Sequence, residues 1–195
     1  MLSVDPMHGE SPAMMPLPAN ISVDPDIQAM VEYWRARIGL GETIPHRDDL
    51  DPLLDVPHLV PNVFLADALD GGDDFRIRLC GTRIADMLGC DSTGLKLSEL
   101  TTGHYLQAIA SVYRQPLVLG VPVYSRSEYR PPSGEPIEVE RLTLPLRRSP
   151  PEAPMLMVIQ KFHGQRTPVH GRFAQVIAAA SHSPESYDFT CYLLD

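Results

Sequence analysis

A chain of 195 residues with a formal net charge of −9 has room for one domain of ordinary size with tails, not two, and lacks the concentrated Lys and Arg of a nucleic-acid groove or an anionic membrane patch. Its three cysteines, Cys80, Cys90 and Cys191, are odd in number, unevenly spaced and without a Cys-x-x-Cys pair, which fits a reducing cytoplasm and no disulfide framework. The opening "MLSVDPMHGE" has neither the charged start nor the apolar stretch of a secretory signal, and no segment approaches the roughly 18 apolar residues of a membrane span, so a soluble cytoplasmic protein is expected.

Residues 1–23 mix Pro, Ser, Gly and Met without a period, the composition of a disordered tail. A domain with its own leading helix is expected over 24–162 and a C-terminal extension over 163–195. The helix begins at "DPDIQAMVEYWRARIGLG". Asp24 is placed to cap it and Pro25 fits its first turn. Ile27, Met30, Val31, Trp34 and Ile38 keep helical spacing, Arg35 and Arg37 close it and Gly39 stops it. Residues 41–61 read as irregular with at most one helical turn.

From residue 62 the pattern turns to β. Residues 62–69 form one apolar strand and "FRIRLC" a second, with Phe75, Ile77 and Leu79 inward and Arg76 and Arg78 outward. The linker Asp70-Gly71-Gly72-Asp73 is a hairpin signal, because glycine readily takes the positive φ such turns need. A short helix follows, carrying Ile84, Met87 and Leu88 and stopped by Gly89. After a further turn comes a longer helix with Tyr105, Leu106, Ile109, Val112 and Tyr113 on one face, capped by Thr101 or Thr102 and ended by Pro116. Strands are then expected at 121–130, 137–146 and 154–162. In the middle one the apolar phase slips between Val139 and Leu142, which suggests a bulge. One more helix is expected near "GRFAQVIAAA", before a short apolar end, "FTCYLL". The order β-β-α-α-β-β-β implies an α+β fold, one antiparallel sheet covered on a single face.

That order, with particular residues in it, resembles a bacterial family of PAS-like proteins. "YWRARIGLGETIPHRDDLDP" is similar to the family's opening, with its P-x-R-x-D-x-D-P pattern. "FRIRLCGTRIADMLGCDSTGLKLSEL" is similar to its F-R-x-R-L-x-G-T and G-x-D-x-T-G motifs, and "ERLTLPL" to its closing strand. The resemblance runs from about Tyr33 to Phe162 and implies a five-stranded antiparallel sheet with helices on one face around a small pocket, a fold used for sensing and dimerising.

Four readings compete for the chemistry. Gly71-Gly72-Asp73-Asp74-Phe75 resembles the GG[DE][DE]F signature of cyclic-di-GMP synthesis, a reaction that needs Mg²⁺ held by two acidic strand-end positions. The second position, in a D-x-D-x-F-K-like motif upstream, has no counterpart here, so the stretch reads as a turn with solvated aspartates, and an active or degenerate cyclic-dinucleotide enzyme is the alternative. Covalent flavin chemistry has no support, because the equivalent of its cysteine motif is "GLKLSEL". Cys80 and Cys90 read as small buried apolar residues. Of seven histidines none forms an i, i+4 pair, so no metal site is expected. His104, on the long helix, is the candidate haem ligand and reads instead as a surface residue. The fourth reading is a ligand pocket of Met87, Leu88, Tyr105, Ile109 and Val112, with Arg126 and Glu138 or Glu140 as polar contacts, set against a filled core in which Arg126 pairs with a glutamate across strands.

The resulting expectation is a non-enzymatic PAS-type sensor or adaptor that passes its signal by contact with another signalling protein. A ligand-free interaction module is the further alternative. A homodimer is expected through Ile27, Met30, Val31 and Trp34, since an amphipathic helix beside a sheet with one uncovered face invites pairing.

Overall fold

The computed structural model describes residues 14–131, 135–163 and 171–194. Part of the N-terminal segment read as a tail lies outside them, as does part of the C-terminal extension. Met14–Pro16 forms strand β1, an element that composition does not reveal. Helix α1 spans Pro25–Arg35, and the Asp24 carboxylate accepts from the Asp26 amide at 2.8 Å, as the capping signal predicts. Single helical turns follow at Arg47–Asp49, at Pro52–Asp55 (α2) and at Val60–Asn62.

The hairpin lies where its glycines place it. Strands β2 (Val63–Leu69) and β3 (Asp74–Cys80) are joined through Asp70, Gly71 and Gly72, all at positive φ. Helices α3 (Thr82–Leu88), α4 (Leu97–Leu100) and α5 (Gly103–Leu119) come next. Pro116 does not end α5. It sits in the last turn, and the helix stops at Gly120, with φ +70°. Strands β4 (Val123–Tyr129), β5 (Ile137–Leu146) and β6 (Met155–His163) precede helix α6 (Arg172–His182) and strand β7 (Tyr187–Leu193).

The strands form one sheet in the order β1-β7-β4-β5-β6-β2-β3, antiparallel except for the β1–β7 pair. The five expected strands are there, and β7 and β1 extend the sheet beyond the edge of β4. What reads as a short apolar end is therefore a strand paired along the whole of β4.

Both faces are covered, which corrects the expectation of a single covered face. On one, Phe75, Ile77, Val139 and Val158 pack against α3, α5 and α6. On the other, Ile27, Met30, Val31 and Trp34 of α1 pack against Leu142, Leu144, Met157 and Ile159. The expected bulge in β5 is absent, since its register is continuous against both β4 and β6. The apolar phase slips because Ile137 and Val139 face α5 and α6 while Leu142, Leu144 and Leu146 face α1. The register does shift in the β2–β3 ladder, between Leu65 and Ala66. Leu79 is thereby turned to the α1 side, opposite Phe75 and Ile77.

Candidate ligand site

Alternation along β5 sends Ile137, Val139, Arg141 and Thr143 to the face under α5 and α6. Arg141 is only 1% exposed. Its Nε donates to Gln160 Oε1 at 2.7 Å, its Nη1 to Ser127 Oγ at 2.6 Å and its Nη2 to the Tyr129 hydroxyl at 2.8 Å. These acceptors come from the flanking strands, Gln160 directly opposite on β6 and Ser127 and Tyr129 on β4. The guanidinium also lies 5.8 Å from the ring centres of Tyr129 and Phe189. All three hydrogen-bond acceptors are neutral, and among the described residues no carboxylate forms an ion pair with Arg141.

The guanidinium borders a cavity of about 60 Å³ between the sheet and the helices. α5 lines it with Tyr105, Ile109 and Tyr113, α3 with Ile84 and Leu88, and α6 with Phe173 and Ile177; Arg141 and Gln160 lie at its sheet side. Tyr105 donates to or accepts from Tyr129 at 2.8 Å, and its ring meets Tyr187 edge-on. The walls are thus apolar and aromatic, with one cation and a few neutral hydroxyl and amide groups, the composition of a small-molecule pocket.

Burial governs the titration of these groups. It pushes the Tyr113 phenol up to about 12 against a counteracting pull from Arg141, and raises Tyr105 well above its ordinary value, with Tyr129 adding to the effect. For Arg141 burial acts downward, and the surrounding tyrosines outweigh it, holding the group above its ordinary range. Burial likewise pushes the Cys191 thiol up to about 12. A phenol retained in the fold and lost from the unfolded chain destabilises as pH rises. Stability present below pH 10 is therefore expected to fall toward pH 12, by about 1.4 kcal/mol per pH unit from Tyr113 alone. Phenolate absorbance followed with circular dichroism checks this. Ionisation of all seven tyrosines near their ordinary value in a still-folded chain would contradict it.

Of the expected pocket residues, Leu88, Tyr105 and Ile109 line the cavity. Met87 and Val112 are fully buried in the same core without bordering it. Arg126 and Glu140 belong to the opposite face, a correction that parity explains: Arg126 pairs with Glu138 and approaches Glu140, whose carboxylate also accepts from the Asp24 amide at the start of α1. The cross-strand ion pair expected of Arg126 is thus present. Ile27, Met30, Val31 and Trp34 face this chain's own sheet rather than a second copy.

His104 is exposed in the first turn of α5, Cys80 is half-buried and Cys90, expected to be buried, is exposed. Asp73 holds Arg114 at 2.8 Å and Asp74 accepts from the Ser98 hydroxyl at 2.7 Å, so both aspartates of the Gly71–Phe75 stretch anchor neighbouring helices. Among the described residues no cluster of three or more His, Cys, Asp or Glu stands ready for a metal ion.

Arg141 and Gln160 were the residues a reading by charge passes over. Their signal was positional: Arg141 lies two residues beyond Val139, on the same side of the strand.

Residues 23–159 match the family model described as PAS domain. The chain belongs to the PAS domain family. No curated protein and no solved structure matches it. The PAS match runs from just before α1 into β6, so it takes in α1 to α5 and β2 to β6, and α6 and β7 lie beyond it. The pocket is nevertheless finished by this later segment, through Phe173 and Ile177. No helix among the described residues is long and apolar enough to cross a membrane.

Proposed function

We propose that this PAS protein is a non-enzymatic cytoplasmic sensor: a small molecule occupies the cavity under α5 and α6, and its presence is passed to a partner signalling protein by contact. The observation that carries the reading is the cavity itself, apolar, bordered by a buried cation, and closed on one side by the α6 segment outside the PAS core. A ligand in contact with Phe173 and Ile177 would stabilise the docked position of α6, and a docked or released helix is a state a partner can read. The engagement of Asp73 and Asp74 with Arg114 and Ser98 weighs against their serving as metal ligands of a cyclase.

Native mass spectrometry of the gently purified full chain, compared with its denatured mass, tests the sensor. A small molecule retained in the first and lost in the second is the expected result. A bare chain whose unfolding temperature does not respond to a small-molecule panel would sink it. The small volume, about 60 Å³, favours the second reading, a ligand-free interaction module, and the same pair of measurements separates the two.

A further inference from the structure

We propose that the cavity recognises a short aliphatic monocarboxylate, its carboxylate paired with Arg141 and its tail lying against Ile109, Leu88 and Ile177. The inference rests on the cavity being a ligand site and adds its chemical class.

The argument starts from the charge. An arginine cannot shed its proton inside a protein, and a buried cation without a counter-charge is held at a high desolvation cost. Arg141 is 1% exposed, and every acceptor it reaches among the described residues, Gln160, Ser127, Tyr129 and Tyr113, is neutral. The nearest acidic side chain in sequence, Glu140, alternates to the other face, where it meets Arg126 and His163. Nε, Nη1 and Nη2 each donate one hydrogen bond, to Gln160, Ser127 and Tyr129, which uses three of the group's five N–H bonds. Of the second N–H on each Nη, one meets the neutral Tyr113 hydroxyl, an acceptor that a carboxylate can share or displace in the charge-assisted pairing it favours. Tyr113, whose hydroxyl interacts with Arg141, and Tyr105 supply further hydroxyl groups at the same wall.

Charge and size narrow the class. One buried cation matches one negative charge; a dianionic phosphate would leave charge uncompensated among apolar walls. A small inorganic anion would make no use of Ile84, Leu88, Ile109 and Ile177. A cavity of about 60 Å³ holds roughly four to six water-sized groups at about 10–15 Å³ each, the space of a carboxylate with a tail of a few carbons.

Calorimetric titration of the full chain with butyrate, butyramide and 1-butanol tests the proposal. Butyrate is expected to bind on the order of tenfold or more tighter than the other two, the margin of a charge-assisted hydrogen bond over a neutral one. Arg141→Met is expected to abolish that preference and to keep binding of 1-butanol. If the amide and the alcohol bind as tightly as butyrate, the cavity is a ligand site and the carboxylate proposal fails. If none of the three binds, the cavity reading fails with it. Should the Met variant not fold, Arg141→Lys serves: it keeps the charge without the fork, so the acid is still preferred, by a smaller margin, and equal binding of acid and amide would overturn the assignment.

Discussion

Trp34→Ala is expected to lower the free energy of unfolding by about 3–5 kcal/mol. The side chain is 2% exposed and belongs to the cluster that α1 forms with β5 and β6. Truncation removes the largest apolar group of the helix stripe and leaves a cavity that the sheet below cannot fill by collapse, since its strands are fixed by ladders on both sides. It also strips the Pro145 carbonyl of the Nε1–H bond it accepts at 2.9 Å in a buried setting. Trp34→Phe separates the two contributions: it retains most of the apolar contact and loses the hydrogen bond, for an expected loss of about 1–2 kcal/mol. Urea unfolding followed by circular dichroism is the measurement, because Trp34 is the only tryptophan and its removal silences intrinsic Trp fluorescence. A loss below about 1 kcal/mol for the alanine variant would mean that α1 contributes little and the second face of the sheet is open. Because α1 and the cavity lie on opposite faces, occupancy of the cavity is expected to survive in the Phe variant.

Gly103→Ala is expected to undock α6 and to cost about 2–4 kcal/mol. Gly103 begins α5 with φ +61°, a conformation that disfavours a Cβ, and a Cβ built there would stand 2.4 Å from the Ser181 carbonyl oxygen near the end of α6. That oxygen is backbone and cannot swing aside as a side-chain tip would. The two segments are already tied at this point by the Thr101 and Ser181 hydroxyls, 2.9 Å apart. Moving α6 away disturbs that bond and withdraws Phe173 and Ile177 from the cavity wall. Hydrogen exchange read by mass spectrometry should show lost protection over Arg172–His182 with β2 and β3 unchanged. Wild-type protection of α6 together with an unchanged melting temperature would refute the close approach of the two helices.

The elements legible in the sequence are those whose signals are local. The cap at Asp24, the glycines of the β2–β3 turn and the stop at Gly89 act within a few residues of themselves, and each is found where its chemistry places it. The five PAS strands were legible for the same reason, as short alternating runs between turns. Pro116 misleads because a proline in a last helical turn removes a single hydrogen bond, which α5 tolerates before ending at Gly120. β7 was missed because "FTCYLL" is too short to declare itself, and its seven residues become a strand only by pairing with β4. β1 is three residues long and exists only beside β7.

The candidate site shows the same division at the scale of single side chains. Leu88, Tyr105 and Ile109 followed from helix faces, and they line the cavity. Arg126 and Glu140 were expected there because polar residues in a strand next to a pocket look like ligands, and they lie on the α1 side instead. Periodicity reports that neighbours along a strand alternate. It does not report which side of the sheet each helix will cover, and with both sides covered an apolar residue of either parity is buried.

What the sequence determined by itself is the PAS order of strands and helices, the hairpin and the capped α1, because short-range backbone preferences and periodicity specify them. What only the tertiary structure decided is that α1 closes the second face, that the C-terminal segment completes both the sheet and the cavity, and that Arg141 is buried without an acidic partner among the described residues. Those facts depend on contacts between residues far apart in the chain, and whether a charge is neutralised is a property of the groups around it in space, which no local pattern encodes.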